Sequence, residues 1–355
     1  MLWTPFKMIP KKFLGIDIGT SFIKIVELSG FGERKKLENY GEISSSALSK
    51  KPFKTFEKNT LLLSNQEISK AILAILEEAK IRTKNVIFSI PDFSSFFTNF
   101  ELPPMTGEEL PQAVRYEARQ HVPLPLGEVT LDWQLIEGKP SDPAKTKLKI
   151  LLVAVPHEII NQYQEIAKLT NLKLLALEAE VFGLVRSLIG EDKRIISLVD
   201  IGAQSTTCSI IEKGILKISH SFDPSGNELT WQIAKSLNIN YNQAEQFKKK
   251  YGLIPSEKNI REILLPLIDL ILVEIEKIIS DFYRAEREEV AKIILAGGTA
   301  LLPGLKEYFF EKIGKEVEIA NPFANIFYPP ILEKTLKEMG PAYAIAVGMA
   351  LRGFQ

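Results

Sequence analysis

The chain has 355 residues, more than one hydrophobic core usually holds, so two or more compact units are expected. Its 44 Lys and Arg residues balance 44 Asp and Glu residues, and this zero net charge removes any global electrostatic case for nucleic-acid binding. The single cysteine, Cys208, excludes an internal disulfide framework and fits a reducing compartment such as the cytoplasm.

The first predicted element is an apolar strand that contains an aspartate. In "FLGIDIGTSF" (13–22), Asp17 stands between Gly15 and Gly19, and neither aspartate nor glycine suits a strand interior. A tight Asp-x-Gly turn and a second, β-branched strand follow, so the segment predicts a β-hairpin. The cost of placing these residues there indicates a function beyond folding.

A second copy of this pattern lies later in the chain. In "SLVDIGAQSTTCSIIEKG" (197–214), Asp200 matches Asp17 and Gly202 matches Gly19. Backbone N–H groups at such turns suit a phosphate, and hydroxyl side chains add donors from Thr20, Ser21, Ser205, Thr206 and Thr207. Because carboxylates repel phosphates, we expect Asp17 and Asp200 to face a hydrated Mg²⁺ from opposite sides. A single Asp-x-Gly turn is more often only a turn, whereas two matched copies favour a phosphate site.

Between the two hairpins, the segment from about 85 to 175 predicts a compact α+β insert. Strands are expected at "NVIFSI", "FFTNFEL", "VTLDWQLI" and "LKILLVAV". Helices are expected from about 106 to 121 and from 156 to about 170. The first of them would begin at a capping box formed by Thr106 and Glu109.

Two further elements stand out in the second half of the chain. The run "ILLPLIDLILVEIEKII" is interrupted by acidic residues, so it predicts a packed amphipathic helix and not a membrane span. The segment "KIILAGGTALLPGL" (292–305) predicts a buried strand, the pair Gly297 and Gly298, and a helix that Pro303 suits at its first turn. Paired glycines after a buried strand let a flat ring lie against the backbone.

Together, the two hairpins and the glycine pair resemble the motifs of the superfamily of actin, sugar kinases and DnaK-type chaperones. The hairpins are similar to its phosphate-1 and phosphate-2 motifs, and "LAGGTALLPGL" is similar to its adenosine motif. The resemblance implies an α/β fold with two ribonuclease-H-like, actin-like lobes that hold ATP or ADP with Mg²⁺ in a cleft. A P-loop and a dinucleotide-binding fingerprint are absent from the sequence, which argues against the commoner nucleotide folds.

The resemblance also implies which residues contact the nucleotide. Asp17 and Asp200 would hold Mg²⁺ through water, Gly226 would approach the phosphates, and Glu245 and Lys248 would reach the ribose or base. Alternatively, Asn242 and Glu245 form a capping box and Lys248 lies on a solvated helix face. The implied contacts are Gly19, Thr20, Ser21, Lys24, Gly202, Gln204, Ser205, Thr206, Gly226, Glu245, Lys248, Gly297, Gly298, Thr299 and Leu302.

Hydrolysis of the nucleotide would need a group that orients the attacking water. The segment "LLALEAEVFGLVRSL" offers Glu178 and Glu180 near the point where the chain re-enters the first lobe. Both could instead flank the start of a helix, where acidic residues favour the dipole. Of the two, Glu178 is slightly favoured as the catalytic residue, and at most slow hydrolysis is expected.

The stretch "YEARQHVPLPLGEVTLDWQLI", with "ELPPM" and "EELPQAVRYEA" beside it, resembles the PilM family of actin-like type IV pilus assembly proteins. The resemblance extends from "GIDIGTSFIKIVEL" to "PAYAIAVGMALRGF", although His121 stands where an aromatic residue is expected. It implies an SHS2-like insert over 85–174 and a first lobe made of 1–84 and 175–194. The second lobe would then cover 195–355, with a helical part at about 225–265.

This family resemblance implies a cytoplasmic ATP-binding scaffold, associated peripherally with the inner membrane through its partners. The main partner would be the N-terminal cytoplasmic peptide of a bitopic PilN-like protein, lying in a groove between the insert and the first lobe. Other pilus platform and motor proteins would join the assembly, and weak self-association is compatible with the family. No nucleic-acid partner is implied.

Three alternatives remain open at this point. An FtsA-like division protein would form filaments and carry a membrane-binding tail, whereas this chain stops at Gln355, just after the last core-like helix. A small-molecule kinase would need a base for a hydroxyl proton, and Asp132 is the only aspartate in a predicted insert strand. A purely structural module would leave the paired hairpins unexplained.

Overall fold

The computed structural model describes residues 10–45, 63–141 and 146–355. Within these ranges the strands are β1 (Lys11–Ile18), β2 (Phe22–Phe31), β3 (Arg34–Ser44), β4 (Asn85–Ile90), β5 (Phe96–Leu102), β6 (Val129–Glu137), β7 (Leu148–Pro156), β8 (Lys173–Ala179), β9 (Ile195–Ile201), β10 (Thr206–Glu212), β11 (Ile215–Phe222), β12 (Lys292–Ala296) and β13 (Glu316–Ile319). The α-helices are α1 (Asn65–Glu78), α2 (Leu110–His121), α3 (His157–Leu169), α4 (Glu180–Leu188), α5 (Gly226–Leu237), α6 (Tyr241–Tyr251), α7 (Ile260–Glu286), α8 (Leu305–Ile313) and α9 (Glu333–Arg352).

The first lobe is a five-stranded sheet with helices on both faces. Its strand order is β3-β2-β1-β4-β8, in which β1 pairs antiparallel with β2 and parallel with β4. Apolar residues of α1 and α3 cover one face, and those of α4 and α9 cover the other. The sheet is therefore buried on both sides, which explains the nearly continuous apolar run of β1.

Gly15 has a packing role in this lobe. A Cβ atom there would lie 1.9 Å from the backbone oxygen of Ala346, because α9 rests directly on β1. The close approach of a helix thus explains the glycine two residues before Asp17. The aspartate itself is not explained by packing.

The second lobe repeats the arrangement with strand order β11-β10-β9-β12-β13. The helices α5, α6, α7 and α8 contribute to its main core, and the predicted amphipathic helix is confirmed as α7. Its helical part, predicted at about 225–265, contains α5, α6 and the start of α7. In the described part of the chain, no helix is both long and apolar enough to span a bilayer.

The insert is narrower than the predicted range 85–174. Its three-stranded sheet, β5-β7-β6, is covered on one face by α2. The preceding β4 lies inside the first-lobe sheet, and the following α3 packs on that same sheet. The insert proper therefore begins after β4 and ends with β7.

The last helix also departs from the predicted second lobe of 195–355. Residues of α9 lie in a core shared with β2 and in another shared with α4, both of which belong to the first lobe. The reason is its sequence, since the small residues of "PAYAIAVGMA" permit close packing on β1. The C-terminal part of the chain thus returns to the first lobe.

Two local predictions in the insert are refined. Thr106 donates from its backbone N–H and its hydroxyl to Glu109 Oε2, both at 2.8 Å, but the helix begins only at Leu110. The His121 ring stacks on Phe100 with a centroid separation of 5.1 Å and an angle of 7° between the planes. The imidazole thus provides a flat stacking surface where the sequence departs from the aromatic residue expected in the family.

The two edges of the insert sheet have different neighbours. Asn99 of β5 donates to the backbone oxygen of Lys217 in β11, which is itself the edge strand of the second-lobe sheet. At the opposite edge, β6 pairs with β7 alone among the described strands. The insert therefore contacts the second lobe through β5, and the outer edge of β6 has no partner strand among the described residues.

Candidate functional site

A cleft with a volume of about 770 Å³ lies between the lobes, and both hairpin turns open into it. Most residues implied as nucleotide contacts line it: Asp17, Gly19, Thr20, Ser21, Lys24, Asp200, Gly202, Gln204, Ser205, Glu245, Lys248, Gly297, Gly298, Thr299 and Leu302. The fold therefore brings together segments that are far apart in sequence.

The first hairpin holds Asp17 at the end of β1. The Gly19 N–H donates to the Phe22 backbone oxygen at 3.0 Å, which closes the turn. Asp17 is buried, and its carboxylate accepts from the Ser89 hydroxyl at 3.0 Å. Lys24 Nζ lies 3.4 Å from the second carboxylate oxygen. Both oxygens of Asp17 are thus oriented before any ligand binds.

The second hairpin repeats this geometry. The Gly202 N–H donates to the Ser205 backbone oxygen at 3.0 Å, matching the bond that closes the first turn. Burial and the nearby Asp17 carboxylate raise the pKa of Asp200 to about 6. The two carboxylates therefore repel each other across the cleft, and a cation between them would relieve that repulsion.

Gly297 fixes the distance between the adenosine-type motif and the second hairpin. Its φ is +83°, and a Cβ atom would lie 2.5 Å from both Asp200 Oδ1 and the Ile201 backbone oxygen. Only glycine fits this position. A Cβ on Gly298, by contrast, would meet nothing within 4 Å. The pair combines one glycine required by the backbone with another that leaves the cleft wall flat.

Of the two glutamates considered for orienting water, the structure places Glu180, and not the favoured Glu178, on the cleft wall. The Glu178 carboxylate forms a bidentate ion pair with Arg186, with both N–O distances at 2.7 Å, and does not line the cleft. Glu180 does line it. Burial, with the carboxylates of Asp92, Asp17 and Asp200 nearby, raises the pKa of Glu180 well above its ordinary value. Glu178 lies in β8 and Glu180 is the first residue of α4, so the backbone changes direction between them. Strand alternation therefore does not predict which of the two carboxylates faces the cleft.

Lys248 has a structural role that sequence did not reveal. Its buried ammonium lies 2.8 Å from each of three acceptors, the Gly226 backbone oxygen, the Thr230 hydroxyl and Glu245 Oε2. An ammonium has three protons, so these contacts use all of them. Although Lys248 and Glu245 line the cleft, their contacts join α6 to α5 and leave the lysine no proton for a ribose or base.

Three other expectations are corrected in the same region. The capping box of α6 is formed by Asn240 and Gln243, and Glu245 lies inside the helix. Gly226 and Thr206 do not line the cleft. The Gly226 N–H donates to the Gly202 oxygen and the Thr206 hydroxyl donates to the Pro224 oxygen, so both donors are already used within the protein. Pro303 precedes α8, which begins at Leu305. Apart from Glu245 and Gly202, these residues lie outside the cleft wall.

Some of the cleft wall was not foreseen. Met339 and Tyr343 of α9 line it from the first lobe, and Asn227 and Tyr241 line it from the second. The Tyr241 hydroxyl donates to Asn227 Oδ1 at 2.7 Å. None of these belongs to a recognisable motif. The placement of Met339 and Tyr343 follows from the return of α9 to the first lobe, which periodicity alone does not predict.

The residues present fit a nucleotide with Mg²⁺. The two turns offer N–H groups and hydroxyls to phosphates, Lys24 adds a cation, and Gly298 leaves room for a ring. The buried side-chain oxygen of Gln204 has no hydrogen-bond partner in the described part of the chain, as expected where a ligand or water completes a site. No cluster of three or more metal-ligating side chains occurs among the described residues. A Mg²⁺ ion here would therefore take most ligands from phosphate and water.

The kinase alternative finds no support in this geometry. Asp132 is exposed on β6, and its Oδ1 accepts from the Trp133 N–H at 2.9 Å. It does not line the cleft.

A family model and a solved structure that are similar to this chain both belong to one group of pilus assembly proteins. A family model described as Type IV pilus assembly protein PilM matches residues 15–354. The solved PilM-PilN type IV pilus biogenesis complex contains a chain that is 25% identical, with a TM-score of 0.84, over 96% of this chain and 98% of that one.

More distant relatives share the actin-like fold. MreB5 of Spiroplasma citri, solved bound to ADP, is 14% identical with a TM-score of 0.55 over 97% of this chain and 96% of that one. The cell division protein FtsA of Staphylococcus epidermidis is 26% identical over 146 residues, which are 35% of this chain and 32% of that protein. The match thus spans about a third of the FtsA chain.

Proposed function

The chain belongs to the PilM family of type IV pilus assembly proteins, and we propose that it is an ATP-binding scaffold that holds the cytoplasmic N-terminal peptide of a PilN-like membrane protein. The observation that carries the nucleotide part is the meeting of Asp17 and Asp200 in one cleft, beside a glycine pair. The name of the PilM-PilN complex supports the peptide part.

The cleft residues have defined roles in this proposal. The turns at Gly19 and Gly202 bind the phosphates through backbone N–H groups, and Asp17 and Asp200 hold Mg²⁺ through its water ligands. Gly297, Gly298 and Leu302 support the adenosine. When bound, the Mg²⁺ ion neutralises phosphate charge, while Glu180 lies where it could orient a water molecule. Hydrolysis is slow or absent, so the nucleotide serves mainly as a conformational ligand.

The peptide site is a groove of about 490 Å³ on the insert. It lies between α2 and β6 and reaches His157, the first residue of the first-lobe helix α3. Val114 and Leu126 supply apolar surface, Trp133 an aromatic wall and Arg115 a charge. Because the outer edge of β6 has no partner strand among the described residues, an extended peptide could pair with it and place alternate side chains in the groove.

The proposed location follows from these contacts. A protein anchored in the inner membrane presents its N-terminal peptide to the cytoplasm, so this chain would associate peripherally with that membrane through the peptide. Contacts with other pilus platform and motor proteins would use remaining surfaces. A change in lobe arrangement on nucleotide binding would alter partner choice only if partners favour one arrangement.

Calorimetry tests the two parts separately. Mg-ATP is titrated first into the full chain and into Asp17→Asn, and saturable binding that weakens at least tenfold in the variant is expected. A synthetic copy of the N-terminal segment of the host's PilN-like protein is then titrated in saturating Mg-ATP. One-to-one binding that weakens in Trp133→Ala but not in Tyr116→Ala, an exposed aromatic on α2 outside the groove, supports the peptide site.

Either part can fail independently. No Mg-ATP binding by the wild type overturns the nucleotide role. No peptide binding to the ATP-loaded protein overturns the proposed partner. Nucleotide-dependent polymers in light scattering would instead favour an FtsA-like role.

A further inference from the structure

One of the two connections between the first lobe and the insert is a short turn after β4. After β4 ends at Ile90, a 3₁₀ turn over Asp92–Ser94 leads directly into β5. Asp92 is 3% exposed, and no sequence motif singled it out. A buried carboxylate at the root of an inserted domain requires a physical explanation.

Asp92 forms a reciprocal pair of hydrogen bonds with the start of α4. Its Oδ1 accepts from the Val181 N–H at 3.2 Å, and its own N–H donates to Glu180 Oε2 at 3.1 Å. The residue before α4, Ala179, has no side chain that could cap the helix. Asp92 therefore caps α4 from a distant part of the chain. The same contact fixes the Glu180 carboxyl group.

The pair lies at the cleft wall. Glu180 and the two neighbours of Asp92, Pro91 and Phe93, line the cleft. Any displacement of the insert root relative to the first lobe must therefore stretch the Asp92 to α4 bonds and shift Glu180. Asp92 and Val181 are both buried in close-packed surroundings, so their contact has little room to relax when the insert root moves.

A buried hydroxyl on which the charge of Glu180 acts has no hydrogen-bond partner among the described residues. Tyr163 Oη is buried and has no hydrogen-bond partner within the described ranges. Burial and the charges of Glu180 and Asp17 raise the pKa of Tyr163 well above 10. Buried polar atoms without protein partners are commonly completed by ordered water.

We propose that Asp92 is a positioning residue that holds Glu180 at the nucleotide cleft and so transmits the position of the insert to that site. This role rests on the proposed nucleotide function. In the hydrolysis that Glu180 would assist, a water oxygen bonds to the γ-phosphorus and the bond to the bridging oxygen of ADP breaks. One water proton remains on the phosphate and the other is released to solvent.

The first experiment needs no ligand. Amide hydrogen exchange is measured over α4 in wild type, Asp92→Ala, Asp92→Asn and the same-turn control Ser94→Ala. Loss of the acceptor in Asp92→Ala should speed exchange at the start of α4 at least tenfold. Asparagine keeps an acceptor oxygen, so Asp92→Asn should stay within about threefold of the wild type. Equal protection in Asp92→Ala and wild type would overturn the positioning role.

The second experiment separates positioning from capping alone. Mg-ATP affinity is measured by calorimetry and hydrolysis by single-turnover assay in the same four proteins. Asp92→Ala should lower the hydrolysis rate at least tenfold with a Kd within twofold of the wild type, and Asp92→Asn should restore the rate to within threefold. An unchanged rate, or a wild type without turnover, overturns the role. Failure of the wild type to bind Mg-ATP would instead refute the proposed function. The hydrogen-exchange experiment would still show whether Asp92 caps the start of α4.

Discussion

Lys217 of the second lobe lies 2.5 Å from Glu137 of the insert through its ammonium group, and the same ammonium lies 3.0 Å from Glu212 of its own lobe. Lys217 is buried, and its backbone oxygen accepts from Asn99 of the insert. One residue therefore joins the insert to the second lobe by two independent contacts. Any rotation of the lobes must change this junction.

We expect Lys217→Met to lower the free energy of unfolding by roughly 1–3 kcal/mol, because Glu137 and Glu212 are then left without their shared cation. The control is Lys213→Met, whose exposed ammonium also pairs with Glu212, at 2.6 Å. Exposed pairs contribute little, so the effect of Lys213→Met should be much smaller than that of Lys217→Met. Urea unfolding measures the free energy of unfolding of both variants. Equal losses in the two would contradict the role assigned to Lys217.

The two adjacent glycines provide a matched pair of substitutions. Gly297→Ala places a Cβ 2.5 Å from Asp200 Oδ1 in a left-handed backbone conformation, so it should destabilise the fold by roughly 1–3 kcal/mol. Gly298→Ala meets no atom within 4 Å and should leave the Tm unchanged. Its methyl group enters the cleft, so Mg-ATP affinity should still fall several-fold. Calorimetry measures the Mg-ATP affinity of both variants. Wild-type affinity in Gly298→Ala would contradict the proposed position of the nucleotide beside Gly298.

Much of the fold was predictable because the motifs are local. The hairpins around Asp17 and Asp200 follow from alternation and turn residues, and the observed turns close with matching Gly19 and Gly202 bonds. The strands of the insert follow for the same reason. Local patterns therefore predicted the elements that carry the chemistry.

Assignments that depend on tertiary packing could not be made from local patterns. The sequence context does not distinguish Glu178 from Glu180. Only the three-dimensional structure shows that Glu178 pairs with Arg186 and that Glu180 lines the cleft. The return of α9 to the first lobe depends on a close approach to Gly15, which no periodicity reveals. Asp92 acts through backbone groups of α4, and such contacts have no sequence signature.

Lys248 should be more important for stability than for nucleotide binding. Lys248→Met removes the ammonium that joins Gly226, Thr230 and Glu245, and we expect a loss of roughly 2–4 kcal/mol in unfolding free energy. Lys249→Met is the control, because its exposed ammonium pairs with Glu245 only at 3.4 Å. At a temperature where both variants are folded, Mg-ATP affinity should differ by less than threefold. A large affinity loss without destabilisation would restore Lys248 as a direct nucleotide contact.

The Asp92 carboxyl group should make the stability of the ligand-free protein depend on pH. Burial and the nearby Asp200 raise the pKa of Asp92 to about 7 from an ordinary value of 3.8. The folded state therefore holds this proton more tightly, so the stabilisation is fully present below about pH 4 and is lost as the pH rises towards 7. Asp92→Asn has no such proton, and its unfolding free energy should fall less over this interval, by on the order of 2–4 kcal/mol. Urea unfolding between pH 4 and 7 measures the difference, and exposed Asp132→Asn controls for the replacement of an aspartate by asparagine elsewhere in the chain. Parallel curves for Asp92→Asn would show that Asp92 is ionised in the folded protein throughout this range.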